Sequence, residues 1–309
     1  MANKEAAFWG RIIYRILIKF WEENFVQRIF YVNGKFVPAE EAVVSAEDRG
    51  FNFGDGVYEV VHWYNGKPFL LKEHVERLIE SAKVIRIEIP WTAEELMHIA
   101  METAQKNNLK DDYIYMQISR GRAIRQHSFP ANTKPTLVMN PQPAAKPPEE
   151  VRNNGARVIT IPDIRWLHCD IKALSALANV LAKQAAKDHN VDDVLYDRAG
   201  LGIVEGGSSN IFYFKDGKLM TPPLSPYIFP GITRAKVIEV AHECGFDFEQ
   251  RVLTLSELLL ADEVMLSSTG LEVLSVTEVN GKKIGTGKPG PVSLKLWETY
   301  MKHVKEACY

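Results

Sequence analysis

Lys172 closes the run Arg165-Trp166-Leu167-His168-Cys169-Asp170-Ile171-Lys172, and thirty-three positions later comes Glu205-Gly206-Gly207-Ser208-Ser209-Asn210. A lysine amine placed in a cleft instead of bulk water can form an imine with an aldehyde, either a cofactor or a substrate. A carboxylate held beside an aldehyde cofactor of pyridine type keeps the ring nitrogen protonated and lets the ring accept electrons. Most lysines are solvated surface charges, so Lys172 draws its interest from its company. The apolar spacing predicts a helix from Ile171 to Asp188, with Lys172 just inside its first turn.

Two segments offer cradles for an anion. Pro230-Gly231-Ile232-Thr233 opens a predicted helix from Thr233 to Cys244, with Thr233 as its N-cap and first-turn amides facing whatever binds there. Ser267-Ser268-Thr269-Gly270 follows a buried strand and brings hydroxyls and amides to its end. Each alone is more often a plain cap or turn; two of them beside a Schiff-base lysine reinforce each other. Arg120-Gly121-Arg122-Ala123-Ile124-Arg125-Gln126-His127 sets three arginines and a histidine in a loop. Arginine's planar fork fits a carboxylate with two hydrogen bonds, and a histidine two positions on adds a third donor.

Other constellations fail on spacing. Arg49-Gly50-Phe51-Asn52-Phe53-Gly54-Asp55-Gly56 lacks the Gly-Lys-Ser/Thr ending of a nucleotide loop and leads into a strand, so its glycines are read as permitting a close backbone approach. His168-Cys169-Asp170 holds metal-ligand types at adjacent positions that do not converge, and no metal site is expected. Gly206-Gly207-Ser208-Ser209-Asn210 does not fit the nucleophile elbow of a serine hydrolase.

The elements that must position these residues form two halves of mixed α/β character. Tyr31 to Val37 reads as a hairpin about Asn33-Gly34, Val57 to Tyr64 as a strand ending at Asn65-Gly66, and Lys72 to Ile85 as a helix with a Val75, Leu78, Ile79, Ala82, Ile85 stripe. Tyr113–Ser119 and Thr136–Met139 read as strands. The proline-rich run from Asn140 to Pro148 is too poor in backbone donors for a helix or a central strand. It is taken as the linker (141–149) between a domain at 30–140 and a larger one at 150–309. The second half predicts strands at Ala156–Ile161, Asp193–Asp197, Asn210–Lys215 and Glu263–Ser268, with a further short element at Ser256–Leu260. Two such domains make a cleft, the usual place for a cofactor.

Composition fits a small-molecule enzyme. The chain has 309 residues, 46% hydrophobic and 25% charged, with net charge -2, which leaves no basic surplus for a nucleic-acid backbone. Three scattered cysteines, Cys169, Cys244 and Cys308, argue for a reducing compartment, the cytoplasm by default. Residues 1–29 stand apart as an extension. Ile12, Ile13, Ile16, Leu17, Phe20 and Trp21 recur at helical spacing, while Arg11, Arg15, Lys19 and Glu22 share the other side. The charges exclude a membrane span, and the mixed signs favour a packing helix over a lipid anchor.

From about Tyr31 to Pro291 the chain resembles the fold-type IV pyridoxal phosphate aminotransferases, and among them the bacterial D-amino acid (D-alanine) aminotransferases. The resemblance rests on Glu47-Asp48-Arg49-Gly50 with Phe53 to Glu59, on Glu73-His74 with Arg77-Leu78, and on Trp166 to Lys172. Glu205-Gly206 with Ser208-Ser209-Asn210, and Gly231-Ile232-Thr233-Arg234, complete it. It implies two α/β domains with pyridoxal 5'-phosphate in the cleft between them, and a homodimer. It further implies that Lys172 carries the aldimine and shuttles the substrate Cα proton, that Glu205 pairs with the pyridine nitrogen, and that Arg77, Ile232, Thr233 and Thr269 hold the phosphate. Ser209 belongs to the same cofactor set. Tyr58, Arg125 and His127 match the family's trap for the substrate carboxylate. The implied activity is ping-pong transamination between a D-amino acid and a 2-oxo acid such as 2-oxoglutarate or pyruvate. Branched-chain L-amino acid aminotransferases, (R)-amine transaminases and aminodeoxychorismate lyases share the fold, and a non-catalytic binding protein is disfavoured by the full set of site residues. Gly207, where a hydroxyl is frequent, Phe229, and the extension before Tyr31 depart from the family pattern.

Overall fold

A computed structural model describes residues 28–309 of the chain; the amphipathic helix expected within residues 8–26 lies outside them. The first half builds an antiparallel sheet of six strands: β1 (Ile29–Val32), β2 (Lys35–Pro38), β3 (Gly56–Tyr64), β4 (Lys67–Pro68), β5 (Asp112–Ser119) and β6 (Thr136–Pro143), in the order β2-β1-β6-β5-β3-β4. Both Asn-Gly hairpins form, with Asn33 and Gly34 at φ 47° and 93°, values that an Asn-Gly pair adopts at little cost. Helices Leu71–Val84 and Ala93–Lys106 pack on this sheet. The stripe on the first helix buries Val75, Leu78 and Ala82 against Val61, Trp63 and Met116 of the sheet. The second helix is fixed by a capping box, Thr92 with Glu95, which satisfies two orphan amides at once.

The proline run departs from expectation. Asn140 to Pro143 continue β6, with Pro141 opposite Ile114 and Pro143 opposite Asp112. The pairing of β6 with β1 covers Val138 and Met139 only, so the prolines fall where one side of the strand needs no donor, as on a sheet edge. The irregular connection is shortened to residues 144–148, before helix Glu149–Asn154.

The second half is a mixed sheet: β7 (Ala156–Pro162), β8 (Asp193–Arg198), β9 (Gly202–Gly206), β10 (Asn210–Lys215), β11 (Lys218–Thr221), β12 (Asp247–Gln250), β13 (Glu263–Ser268), β14 (Glu272–Val279) and β15 (Lys282–Lys283). The order is β12-β11-β10-β13-β14-β7-β8-β9, with β15 beside β14. Residues alternate between two cores. Ile211, Tyr213, Val264 and Leu266 face one side, while Phe212 and Met265 face the other, beneath helices Ile232–Glu243 and Pro291–Cys308. Among the described residues no helix is long and apolar enough to cross a membrane.

Two predicted helix starts shift. The helix expected from Ile171 begins at Leu177. The six residues before it are drawn onto β3, whose Gly56–Tyr58 end has β5 on one side and no strand partner on the other. There the Tyr58 N–H donates to the Lys172 carbonyl, the Leu174 N–H donates to the Gly56 carbonyl, and Val57 bridges Ala173. An unpaired strand edge is a strong competitor for such a segment because its backbone groups need partners. A Cβ at Gly56 would sit 2.5 Å from the Ile118 oxygen and 2.7 Å from Leu174 Cδ1, so the glycine loop permits the close approach expected of it. The helix predicted from Thr233 starts at Ile232 with Gly231 as its cap, which puts Thr233 inside the first turn instead of at the cap.

Candidate active site

A cavity of about 300 Å³ lies where the Lys172 segment, β3, β9 and the start of helix Ile232–Glu243 converge. Its lining includes Tyr58, Arg77, Lys172, Glu205, Ser209, Ile232, Thr233 and Thr269. Side chains from both halves of the sequence thus surround one space.

Glu205 stands on β9, buried, in the cavity lining. Its Oε1 accepts from the Asn210 side-chain amide at 2.9 Å and the Phe229 N–H at 2.8 Å. Its Oε2 accepts from Arg165 Nη1. Burial pushes the Glu205 carboxyl up to about 7, with the Arg165 guanidinium and the Phe229 amide pulling against it. Asp163 and Glu205 in turn hold Arg165 above its usual value, against its burial. Asp163 grips Arg165 through Nε and Nη2 at 2.9 Å each, and its Oδ2 also accepts from Arg198 at 3.0 Å. The carboxylate therefore sits at a fixed position, near neutrality in its titration, facing a cavity.

Arg77 also lines the cavity. Its Nε and Nη2 donate to Glu59 at 2.6 and 2.9 Å, and Nη1 donates to the Pro230 carbonyl at 2.8 Å. Of the five N–H donors of a guanidinium, these bonds leave two for a ligand. Glu59 is fully buried and also takes a 2.7 Å bond from His74 Nδ1. Arg77 and His74 hold the Glu59 carboxyl well below the ordinary carboxylate range, against its burial. Beside Arg77, the N–H groups of Ile232 and Thr233 precede the first intrahelical bond, from the Ala235 N–H to the Gly231 carbonyl. Such amides at a helix start suit an anion.

Lys172 lines the same cavity. Its Nζ is 4.5 Å from the Tyr58 ring centroid and 4.6 Å from that of Phe229, and among the described residues no carboxylate pairs with it. Two hydroxyls in the lining, Ser209 Oγ and Ser267 Oγ, are buried with no hydrogen-bond partner. Buried polar groups of this kind call for a partner, and both belong to this cavity.

The Arg125 and His127 candidates are not brought in. Both are exposed and outside the cavity lining of this chain, resting on Phe53: Arg125 lies 4.8 Å and His127 5.5 Å from its ring. Arg120 of the same run is structural, buried with Asp55 and donating to the Ile85 and Arg86 carbonyls. Three residues of the site carry no sign of their roles in the sequence. Glu59 and His74 lie inside the matched runs and Arg165 just before one, yet nothing local marks them as the holders of Glu205 and Arg77.

The model of the family Amino-transferase class IV matches residues 56–279. The chain belongs to the class IV aminotransferases. This aminotransferase is 41% identical to a D-alanine aminotransferase of Staphylococcus haemolyticus over 276 residues, covering 89% of this chain and 97% of the relative. It is 41% identical to one from Bacillus licheniformis, covering 84% and 92%. Among solved structures, a branched-chain amino acid aminotransferase of Escherichia coli superposes with a TM-score of 0.84 at 29% identity, over 89% of this chain and 94% of that one. One from T.th., solved with pyridoxamine 5'-phosphate, gives 0.84 at 31% identity over 91% and 95%. The mixed α/β, fold-type IV architecture expected from the sequence is the one this aminotransferase has.

Proposed function

We propose that this aminotransferase moves an amino group between a D-amino acid of the D-alanine type and a 2-oxo acid, using pyridoxal 5'-phosphate. The observation that carries the reading is one cavity whose lining holds a lysine amine, a buried carboxylate and an arginine fork beside a helix start. Those three groups answer the aldehyde, pyridine nitrogen and phosphate of the cofactor, and the unpartnered Ser209 and Ser267 hydroxyls fit a polar ligand there. Relatives named D-alanine aminotransferase at 39–41% identity support the substrate class.

When bound, the cofactor supplies an electron sink that makes the substrate Cα–H acidic. Lys172 would anchor the cofactor covalently, and its amine is the base for taking and returning a proton at the substrate Cα. Glu205, its carboxylate fixed by Arg165 and Asn210, would pair with the pyridine nitrogen and favour its protonated form. Arg77, Ile232, Thr233 and Thr269 hold the phosphate, and Ser209 adds a hydroxyl to the cofactor set.

Tyr58 lines the cavity and is placed to meet the substrate carboxylate. Arg125 and His127 reach a cavity only if it belongs to a second subunit, so the three-residue carboxylate trap requires a homodimer. The loop carrying them is braced by the Ala123 N–H to the Glu47 carbonyl and presents an exposed Ile124, with Phe51 exposed nearby. A second copy covering that apolar surface supports the dimer reading. The three free cysteines support a reducing, cytoplasmic setting.

The test is a panel of paired D- and L-amino acids with 2-oxoglutarate and pyruvate as acceptors, read by a chirality-resolved assay. Faster turnover of D-alanine than of L-alanine, L-leucine and L-valine is expected. Preference for the branched-chain L-amino acids would replace the reading with that of the structural neighbours.

A further inference from the structure

Phe229 stands where three parts of the site meet. Its N–H donates to Glu205 Oε1 at 2.8 Å, and its carbonyl accepts from the Asn210 amide at 2.8 Å. Its ring lies under two cations at once, with Lys172 Nζ 4.6 Å and the Arg77 guanidinium carbon 4.4 Å from the centroid. The next residue, Pro230, takes the Arg77 Nη1 hydrogen bond on its carbonyl. Lys172 has no other polar anchor among the described residues, only the faces of Tyr58 and Phe229. A ring face attracts an ammonium or a guanidinium while leaving its N–H donors unspent, whereas a carboxylate would compete for them.

We infer that Phe229 is a positioning residue whose ring holds both the Lys172 amine and the Arg77 guanidinium, the groups that would meet the cofactor's aldehyde and phosphate. The inference rests on the pyridoxal phosphate reading above. The aromatic face decides the matter, since an aliphatic side chain fills similar space and attracts neither cation. The backbone bonds to Glu205 and Asn210 survive any side-chain change, so the ring's part is separable from the loop's.

The experiment titrates cofactor-free protein with pyridoxal 5'-phosphate and, separately, with pyridoxal, following absorbance and intrinsic fluorescence. The proteins are the wild type, Phe229→Leu, Phe229→Met and Phe229→Tyr, with thermal unfolding of each in parallel. Each ring contact is worth a factor of roughly two to thirty in binding. Phe229→Leu should therefore raise the Kd for the phosphorylated cofactor by at least about tenfold, through both cations. It should raise the Kd for pyridoxal by only about threefold, through Lys172 alone. Phe229→Tyr should restore wild-type values, and Phe229→Met should repeat the leucine result should leucine fail to fold. An unchanged Kd in both aliphatic variants, an equal loss for the two cofactor forms, or a tyrosine variant as weak as leucine overturns the inference while leaving the function intact. Absence of binding by the wild type overturns the cofactor reading, and the inference with it.

Discussion

Glu205 should make the cofactor-free protein lose stability as pH rises through neutrality. Burial pushes its carboxyl up to about 7, from an ordinary value of 4.5. Between those values the folded protein holds a proton that the unfolded chain has released, so folding is favoured at low pH and the advantage drains as pH climbs. The contribution is complete below about pH 4.5 and gone once the pH has passed about 7. At about 1.36 kcal/mol per pH unit, that gap is worth about 3 kcal/mol. Other groups move stability over the same range. His62 and His74 are pushed below their ordinary value by burial, so their share rises with pH, in the opposite direction. Comparison with Glu205→Gln removes this background, because setting the glutamine amide against the Arg165, Asn210 and Phe229 donors costs the same at every pH while the titration is lost. The measurement is urea unfolding of both cofactor-free proteins at pH 5, 6, 7 and 8. Wild type should fall relative to Glu205→Gln by about 2 to 3 kcal/mol across the series. Parallel curves would show that Arg165, Asn210 and the Phe229 amide hold the carboxylate ionised throughout, and burial would not be what sets its titration.

Lys172→Ala should lose the visible absorption that borohydride bleaches and should slow turnover by about several powers of ten, the usual loss on removing a covalent catalyst; near-normal turnover would move the anchor elsewhere. Glu59→Gln should cost about 2 to 3 kcal/mol at pH 7, because Arg77 and His74 lose their anionic acceptor and one of their donors meets the amide N–H groups. Since the folded Glu59 carboxyl lies well below its ordinary range, its stability share is present above about pH 4.3 and drains as pH falls toward the folded value. The wild-type advantage should therefore shrink in acid, and a constant gap from pH 7 to pH 3 would refute the sign. Arg125→Ala should lower kcat/KM for D-alanine by about one to two powers of ten through the lost carboxylate contact, and leave a carboxylate-free (R)-amine nearly unaffected. Equal losses on both substrates would remove Arg125 from the trap.

What the sequence made legible follows the range over which each signal acts. Asn33-Gly34 and Asn65-Gly66 announce their hairpins because the turn's strain is borne by the two residues themselves. Lys172 and Glu205 stand out as candidates because reactive groups come in few types, and the fold brings both to the lining of one cavity. The backbone that carries Lys172 is another matter. Ile171, Leu174 and Ala178 continue the helical spacing of the following residues, and nothing in that pattern reveals that the free edge of β3, more than a hundred positions earlier, offers the segment a better set of hydrogen bonds. The same blindness hid the strand through Pro141 and Pro143, since only the tertiary neighbours tell which side of a strand needs a donor. Glu59 and Arg165 were missed as holders for a related reason: they act on Arg77, eighteen positions away, and on Glu205, forty away. Their value lies in burial, which no local window contains. Site chemistry is therefore written in residue types, but its tuning is written in contacts. Glu205 near neutrality in its titration and Lys172 against two ring faces are properties of the folded chain, which no local stretch of sequence contains.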